Sequence, residues 1–125
     1  MDELESIVKN YIDSYNNFNV DGMVADMDKA VVFENVAGGE VNMTLNGIEE
    51  FRKQAVQAVE LFSSREQTIT SLTHTGNQVV VDIAYHGVLA VDLPNGMKQG
   101  DELNLKGRST FTFAGDKIIT LRDES

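Results

Sequence analysis

The chain has 125 residues, 42% of them hydrophobic, and its 20 acidic and 10 basic side chains give a formal charge of −10. This length predicts one domain, spanning residues 1–125, that buries about two-thirds of its unfolded surface. The basic residues form no cluster, which argues against nucleic-acid binding. The absence of cysteine excludes disulfides and thiolate chemistry. No apolar run approaches the roughly 20 residues of a membrane helix, and the acidic start predicts no secretory signal. We therefore expect a soluble, cytoplasmic protein with no membrane partner.

The first part of the chain is predicted to be helical. Residues 3–17 carry one apolar stripe at helical spacing on an otherwise polar segment. The stripe consists of Leu4, Ile7, Val8, Tyr11, Ile12, Tyr15 and Phe18. Asparagines then interrupt the pattern, and a short second helix is expected to follow. Its inward side chains would be Val20, Met23, Val24 and Met27.

A hairpin and a third helix are predicted next. Residues 31–36 are β-rich, residues 37–40 form a turn, and residues 41–45 alternate with period two. Asn46 stands in a capping position, with Glu49 three residues later in capping-box spacing. The buried face of this third helix is expected to be Ile48, Phe51, Ala55, Val59 and Phe62.

The rest of the chain is predicted to be sheet. Strands are expected at residues 66–74, 78–92, 103–113 and 117–122, and neighbours joined by short turns should pair antiparallel. The loop at residues 93–102 carries Gly96 and Gly100 on either side of Met97. Whether this loop acts as a lid is left open.

Alternation along the strands separates two faces. Odd positions of the second and third long strands are mostly apolar and should face the helices, with Tyr85 and Ser109 as the polar members of this inner face. Asp82 and His86 fall on the outer face about 13 Å apart, too far for a catalytic dyad. We expect Asp82 to face Arg108 or Lys106 instead. The outer face also carries Val80, Ala84 and Val88, which makes it a candidate homodimer surface.

Several segments resemble a known superfamily. Tyr11-Ile12-Asp13, Phe33-Glu34-Asn35-Val36-Ala37-Gly38, Phe111-Thr112-Phe113 and residues 117–122 are similar to ketosteroid isomerase segments, in the same order. The chain resembles the nuclear transport factor 2-like (NTF2-like) superfamily, in its ketosteroid isomerase and SnoaL-like polyketide cyclase branch. The resemblance implies an α+β fold: three N-terminal helices packed on a strongly curved mixed or antiparallel sheet, as a cystatin-like cone enclosing a pocket.

The resemblance also implies roles for individual residues. Tyr11 falls where the isomerases place the tyrosine that donates to the enolate oxygen. Asn35 falls at the position of the carboxylate that moves the proton, and Ser109 at that of a protonated aspartic acid. The pocket walls are expected to contain Tyr15, Phe33, Phe51, Ile83, Tyr85, Ser109 and Phe111.

The base is the missing element of this site. A neutral amide such as Asn35 does not accept a proton near pH 7, although it can orient a carbonyl or a water. Asp123 is the best replacement, since its parity matches Ile119 and Leu121, which should face inward. The alternative is a frayed acidic C-terminus. The candidate catalytic set is therefore Tyr11, Asn35 and Asp123.

Three functions remain open at this point. The first is a homodimeric module that binds a small apolar, oxygen-bearing molecule through neutral polar groups. The second is an isomerase, cyclase or dehydratase acting on an enolisable ring compound. The third is a protein-interaction domain that uses the outer sheet face. No cofactor is implied, and no metal is expected, because His74, His86 and the scattered acids show no ligand spacing.

Overall fold

The computed structural model describes residues 2–125 and shows three helices lying on a six-stranded sheet. The helices are α1 (Glu3–Asn16), α2 (Val20–Val24) and α3 (Ile48–Val59). The strands are β1 (Met27–Ala37), β2 (Glu40–Asn46), β3 (Phe62–Thr75), β4 (Gln78–Leu89), β5 (Glu102–Ala114) and β6 (Lys117–Glu124). Within the described residues, no helix is both long and apolar enough to cross a membrane.

The sheet is mixed and open. Its order is β2-β1-β6-β5-β4-β3, so β2 and β3 are edges that do not pair with each other. Neighbouring strands are antiparallel except for β1 and β6, which run parallel. Bulges interrupt several of these pairs, for example between Asn35 and Val36 and between Thr112 and Phe113, and bulges bend and twist strands. The predicted α+β class, with helices on a curved mixed sheet, is confirmed.

Helix α1 forms where the apolar stripe predicted it. The Asp2 side chain caps it by accepting a hydrogen bond from the backbone N–H of Leu4, and Glu3 and Glu5 follow in the first turn. Acidic groups stabilise the positive end of a helix dipole. Val8, Tyr11 and Ile12 are buried, which fixes the orientation of the helix on the sheet.

The predicted cap of α3 is wrong. Asn46 is still paired with Val32 in the β1–β2 hairpin, and the N-cap position belongs to Gly47. Gly47 has φ of +91°, a conformation that glycine adopts without strain. Glu50, rather than Glu49, reaches back to accept a hydrogen bond of 2.9 Å from the Asn46 N–H. The chain therefore leaves the strand by a glycine turn and not by an asparagine cap.

Other boundaries also differ from the prediction, and β4 ends at Leu89 instead of residue 92. Met27 is buried as expected, but it begins β1 instead of belonging to α2. Phe62 begins β3, whereas it was assigned to the buried face of the third helix. Strand β3 therefore starts four residues earlier than the predicted range 66–74, and this brings Arg65 into the strand.

The inner face follows the predicted parity, with one correction in β6. Val79, Val81, Phe111 and other odd positions of β4 and β5 are buried. In β6, however, Ile118 is the buried isoleucine and Ile119 is only half-buried. Phe113 pairs with Ile118 and Thr112 pairs with Thr120, so Ile119 is the extra residue of a bulge.

The outer face carries cross-strand contacts between polar side chains. The Arg108 Nε donates to Asp82 Oδ1 at 2.9 Å, which confirms the predicted pairing of Asp82 and shows that it is not a dyad with His86. The His86 ring lies 2.8 Å from a Glu102 carboxylate oxygen, with the imidazole Nε2 as the contacting atom.

Candidate functional site

Two adjoining cavities lie between the helices and the inner face of the sheet. The inner chamber, of about 230 Å³, is bounded by α1, α3, β1 and β2 and is lined mainly by Tyr11, Phe33, Met43, Phe51 and Arg65. The outer chamber, of about 260 Å³, lies over β4 and β5 and is lined mainly by Phe62, Gln67, Ile83, Tyr85, Leu105 and Ser109. Tyr15, Asn35 and Asp123 line both, so these three residues stand where the chambers meet.

A wider depression of about 630 Å³ surrounds Asp82, Lys106 and Arg108. Asp82 and Arg108 are already paired with each other there, and the groups are solvated. The two chambers combine apolar walls with a few polar groups, as ligand sites do. We therefore place the candidate site in the chambers.

Asp123 reaches the chambers because of two strand pairings. It lies opposite Asn35 in the parallel β1–β6 pair and opposite Ser109 in the antiparallel β5–β6 pair. The Ser109 hydroxyl donates a 2.7 Å hydrogen bond to Asp123 Oδ1. Burial raises the pKa of Asp123 from 3.8 to about 6, and the bond from Ser109 opposes this rise. The carboxyl is thus largely ionised at neutral pH while holding protons more tightly than an ordinary aspartate.

Tyr11 supplies a protonated hydroxyl on the inner chamber. Its ring is 6% exposed, and it packs edge-on against Phe111 with centroids 5.4 Å apart. Burial raises the pKa of Tyr11 well above its ordinary value, and the nearby charge of Asp123 raises it further. The side chain therefore remains a hydrogen-bond donor at any physiological pH.

Asn35 stands beside Asp123 at the junction. Its Nδ2 donates a 2.9 Å hydrogen bond to Asn42 Oδ1 of the neighbouring strand β2. This bond orients the amide and occupies one of its two donor hydrogens. Phe33, two residues earlier on the same face, packs its ring against Phe51 at 5.5 Å.

A pair of tyrosines joins the two chambers. The hydroxyls of Tyr15 on α1 and Tyr85 on β4 lie 3.1 Å apart in a hydrogen bond, and their rings meet edge-on at 6.2 Å. Burial raises the pKa of both phenols. Both stay neutral, so they give the pocket hydrogen-bonding groups without charge.

Arg65 is a site residue that the sequence interpretation missed. It is 5% exposed and lines the inner chamber. Its Nε donates to the Tyr15 carbonyl oxygen at 2.9 Å, and its guanidinium carbon lies 3.8 Å from the Tyr15 ring centroid. The available signal was parity, because Arg65 and Gln67 share the strand face of Ile69, which packs against the core.

The structure brings nearly all predicted site residues together. Those on the inner chamber are Tyr11, Tyr15, Phe33, Asn35, Phe51 and Asp123, and those on the outer chamber include Ile83, Tyr85 and Ser109. Phe111 instead lies behind Tyr11 and is 0% exposed. It lines neither chamber and supports the tyrosine ring from the core.

The loop considered as a lid is tied to itself and to β4. The Leu93 N–H donates to the Met97 carbonyl at 2.8 Å, and the Gly100 N–H donates to the Leu89 carbonyl at 2.9 Å. Residues 93–101 line neither chamber. In this conformation the loop does not cover the site.

One group of side chains has the composition of a metal site. Asp2, Glu5 and His74 bring three possible ligand atoms within 4.8 Å of one another. The His74 Nε2 faces the Gly76 carbonyl at 2.9 Å and its Nδ1 is paired with the Asp2 carboxylate, so both ring nitrogens already have partners. His74 is half-buried. The group does not line the chambers.

The sequence profile of the SnoaL-like domain matches residues 8–121, and the chain belongs to this family. No sequence among the curated proteins matches it.

Solved structures share the fold at low identity. A proposed polyketide cyclase from Xanthomonas campestris pv. campestris superposes with a TM-score of 0.83 at 17% identity, over 98% of this chain and 90% of that one. A proposed SnoaL-like polyketide cyclase from Jannaschia sp. CCS1 superposes with a TM-score of 0.82 at 18% identity, over 97% of this chain and 83% of that one. An epoxide hydrolase from M. tuberculosis, described as LEH-like, superposes with a TM-score of 0.78 at 16% identity, over 98% of this chain and 81% of that one. The fold is therefore shared by proteins described by different activities, and the function must be argued from the site.

Proposed function

We propose that the protein is an enzyme that moves a proton on a small, oxygen-bearing ring compound held in the two chambers. The observation that carries this proposal is Asp123, a carboxylate at the junction of the chambers, held by Ser109 and with its pKa raised to about 6. A general base works best when its pKa lies near the working pH. Of the hypotheses from the sequence, the isomerase, cyclase or dehydratase is thus favoured over simple binding.

The chemical step uses three groups. Asp123 Oδ2, the oxygen that does not take part in the Ser109 bond, accepts a proton from the carbon next to a substrate carbonyl. The electron pair of that C–H bond forms a carbon–carbon double bond, and the carbonyl oxygen becomes an enolate oxygen. The Tyr11 hydroxyl donates a hydrogen bond to this oxygen as its charge develops. Where the substrate carries a carbon–carbon double bond between its β- and γ-carbons, the enolate is a dienolate, and return of the proton from Asp123 to the γ-carbon shifts that double bond and completes an isomerisation.

Asn35 has a supporting role in this proposal. It lies opposite Asp123 in the β1–β6 register and is oriented by Asn42. Its free amide groups suit holding the substrate carbonyl, or a water, next to the carboxylate. As a neutral amide, Asn35 neither gives nor takes the proton. In this proposal the catalytic base is therefore Asp123 in β6 and not the residue at position 35 in β1.

The outer face is proposed as a homodimer surface, as its pattern predicted. Val80, Ala84 and Val88 are half-buried there, beside the Asp82–Arg108 ion pair and the contact between His86 and Glu102. A dimer through this face should be lost in Val88→Glu, measured by light scattering after gel filtration. An unchanged mass would argue against this face.

A cytoplasmic location likewise stays a prediction, based on the cysteine-free composition.

The test of the enzyme proposal is proton exchange. Wild-type protein is incubated in D₂O with a panel of enolisable cyclic ketones, and loss of the α-proton signal is followed by NMR. We expect accelerated exchange for at least one ketone, a loss of about 10²- to 10⁴-fold in Asp123→Asn, and a smaller loss in Tyr11→Phe.

Asp116→Asn, in the exposed β5–β6 turn, is the matched control and should exchange like the wild type. The absence of exchange with every ketone, or unchanged exchange in Asp123→Asn, would contradict the proposal.

A further inference from the structure

Arg65 is a buried cation whose charge the protein does not neutralise. It is 5% exposed, and none of the ion pairs formed by the described residues includes it. The guanidinium Nε donates to the Tyr15 carbonyl, and the Tyr15 phenol is a second, neutral hydrogen-bond partner of Arg65. Its Nη2 has no hydrogen-bond partner and is shielded from solvent. A buried charged group without a partner is rare in proteins and costly to keep.

The aromatic rings around Arg65 offset only part of this cost. The guanidinium carbon lies 3.8 Å from the Tyr15 ring centroid and 4.7 Å from that of Phe18. Such contacts hold the plane of the group in place. Aromatic rings carry no negative charge, so these contacts orient Arg65 without neutralising it.

The one carboxylate that shares the inner chamber with Arg65 is not its partner. Asp123 lines the same cavity but accepts its hydrogen bond from Ser109. The chamber therefore holds one cationic and one anionic group at separate positions along its wall. A ligand can contact both only if it offers an acceptor at one end and a proton at the other.

We propose that the substrate is an organic anion, with a carboxylate-type oxyanion next to Arg65 and its reacting carbon toward Asp123 and Tyr11. The anion supplies the countercharge that the protein does not give to Arg65, which lines the chamber, and a planar guanidinium matches a carboxylate in a paired geometry. The position of the reacting carbon rests on the proposed function, whereas the anion site does not. This inference replaces the neutral ligand predicted from the sequence.

A purely structural role for Arg65 is the competing explanation. The bond to the Tyr15 carbonyl ties the end of α1 to β3, and any polar residue able to make that bond would serve. A structural role predicts no preference for charged ligands. The two explanations are therefore separated by a measurement on the ligand side, which needs no substitution.

The test compares 4-oxocyclohexanecarboxylate with its methyl ester, two ketones that differ mainly in charge. Binding to the wild-type protein is measured by NMR titration of the chamber resonances. We expect the carboxylate to bind about tenfold tighter or more, as a buried charge-assisted hydrogen bond implies. Equal affinity, tighter binding of the ester, or no shift with the carboxylate would overturn the proposal.

Substitutions then locate the preference. Arg65→Gln should abolish it while the ester still binds, and Arg65→Lys should keep part of it. Arg52→Gln, on α3 and paired with Asp21, lines neither chamber and should leave it unchanged. If Arg65→Gln does not fold, the lysine variant and the wild-type comparison decide the question. Asp123→Asn should keep the preference for the carboxylate. If the wild-type protein binds the carboxylate but exchanges no proton on any ketone, the proposed function is refuted and the anion site still stands.

Discussion

The Ser109 hydroxyl donates a 2.7 Å hydrogen bond to Oδ1 of Asp123, across the antiparallel pair of β5 and β6. This bond engages one carboxylate oxygen and leaves Oδ2 to exchange a proton. It also stabilises the charged form, against the burial that raises the pKa of Asp123 to about 6. The proton affinity of the proposed base thus depends on a neighbour that contributes no charge.

Removing this neighbour should make Asp123 harder to ionise. In Ser109→Ala the carboxylate loses its donor, so its pKa should rise above about 6 and the acidic limb of the rate–pH profile should move to higher pH. A carbon-13 NMR titration of the Asp123 carboxyl measures the same shift without substrate. Thr110→Ala, the next residue on the opposite face, serves as control. A limb that stays in place or moves downward would contradict this role of Ser109.

The ionised carboxylate of Asp123 should destabilise the folded protein at neutral and alkaline pH. Its folded pKa of about 6 lies above the ordinary 3.8, so the folded state binds the proton more tightly than the unfolded state. Asp123 therefore contributes to the free energy of unfolding below about pH 4, and this contribution is lost as the pH rises through about 6. Asp123→Asn should therefore raise the free energy of unfolding by about 1–3 kcal/mol at pH 8 and change it little at pH 4.

Urea unfolding at both pH values measures this difference, with Asp116→Asn as the exposed control. A destabilised Asp123→Asn protein at pH 8 would show that the charged carboxylate supports the fold, contrary to the sign derived from burial.

The hydroxyl bond between Tyr15 and Tyr85 couples α1 to the sheet. At 3.1 Å, it should contribute about 0.5–1.5 kcal/mol to the free energy of unfolding. Tyr15→Phe and Tyr85→Phe each remove it, so the double variant should be destabilised by less than the sum of the two. A double-mutant cycle by urea unfolding measures the coupling, and strictly additive effects would mean that the two hydroxyls act independently.

Gly107 is required where β5 passes the end of β6. A Cβ at this position would lie 2.7 Å from the Glu124 carbonyl oxygen, a backbone atom that cannot rotate away. Gly107→Ala should destabilise the protein by about 1–3 kcal/mol, as other overpacked sites do. Lys106→Ala, the exposed neighbour, should change stability little. Equal melting temperatures for the two variants would show that the end of β6 moves aside at little cost.

Much of the fold could be predicted because its signals are local. The apolar stripe of α1, the hairpin of β1 and β2, and the parity that buries Val81 and Phe111 all come from periods of 3.6 and 2 residues. The same parity predicted the pairing of Asp82 with Arg108. It also placed Asp123 on the inner face with Leu121, although the bulge at Ile119 moved the buried isoleucine to Ile118.

By itself, the sequence determined the family, the order of the elements and most of the chamber wall, since these depend on residue type and spacing along the chain. Only the tertiary structure decided that the Asp123 carboxylate reaches the chambers and that the Arg65 guanidinium shares the inner one. Asp123 meets Asn35 and Ser109 because β6 pairs parallel with β1 and antiparallel with β5, contacts between strands distant in sequence. Arg65 becomes a buried cation because β3 begins early and lays it beneath Tyr15 of α1. Burial and pairing across strands are properties of the packed chain. They set the protonation of Asp123 and leave the Nη2 of Arg65 without a hydrogen-bond partner.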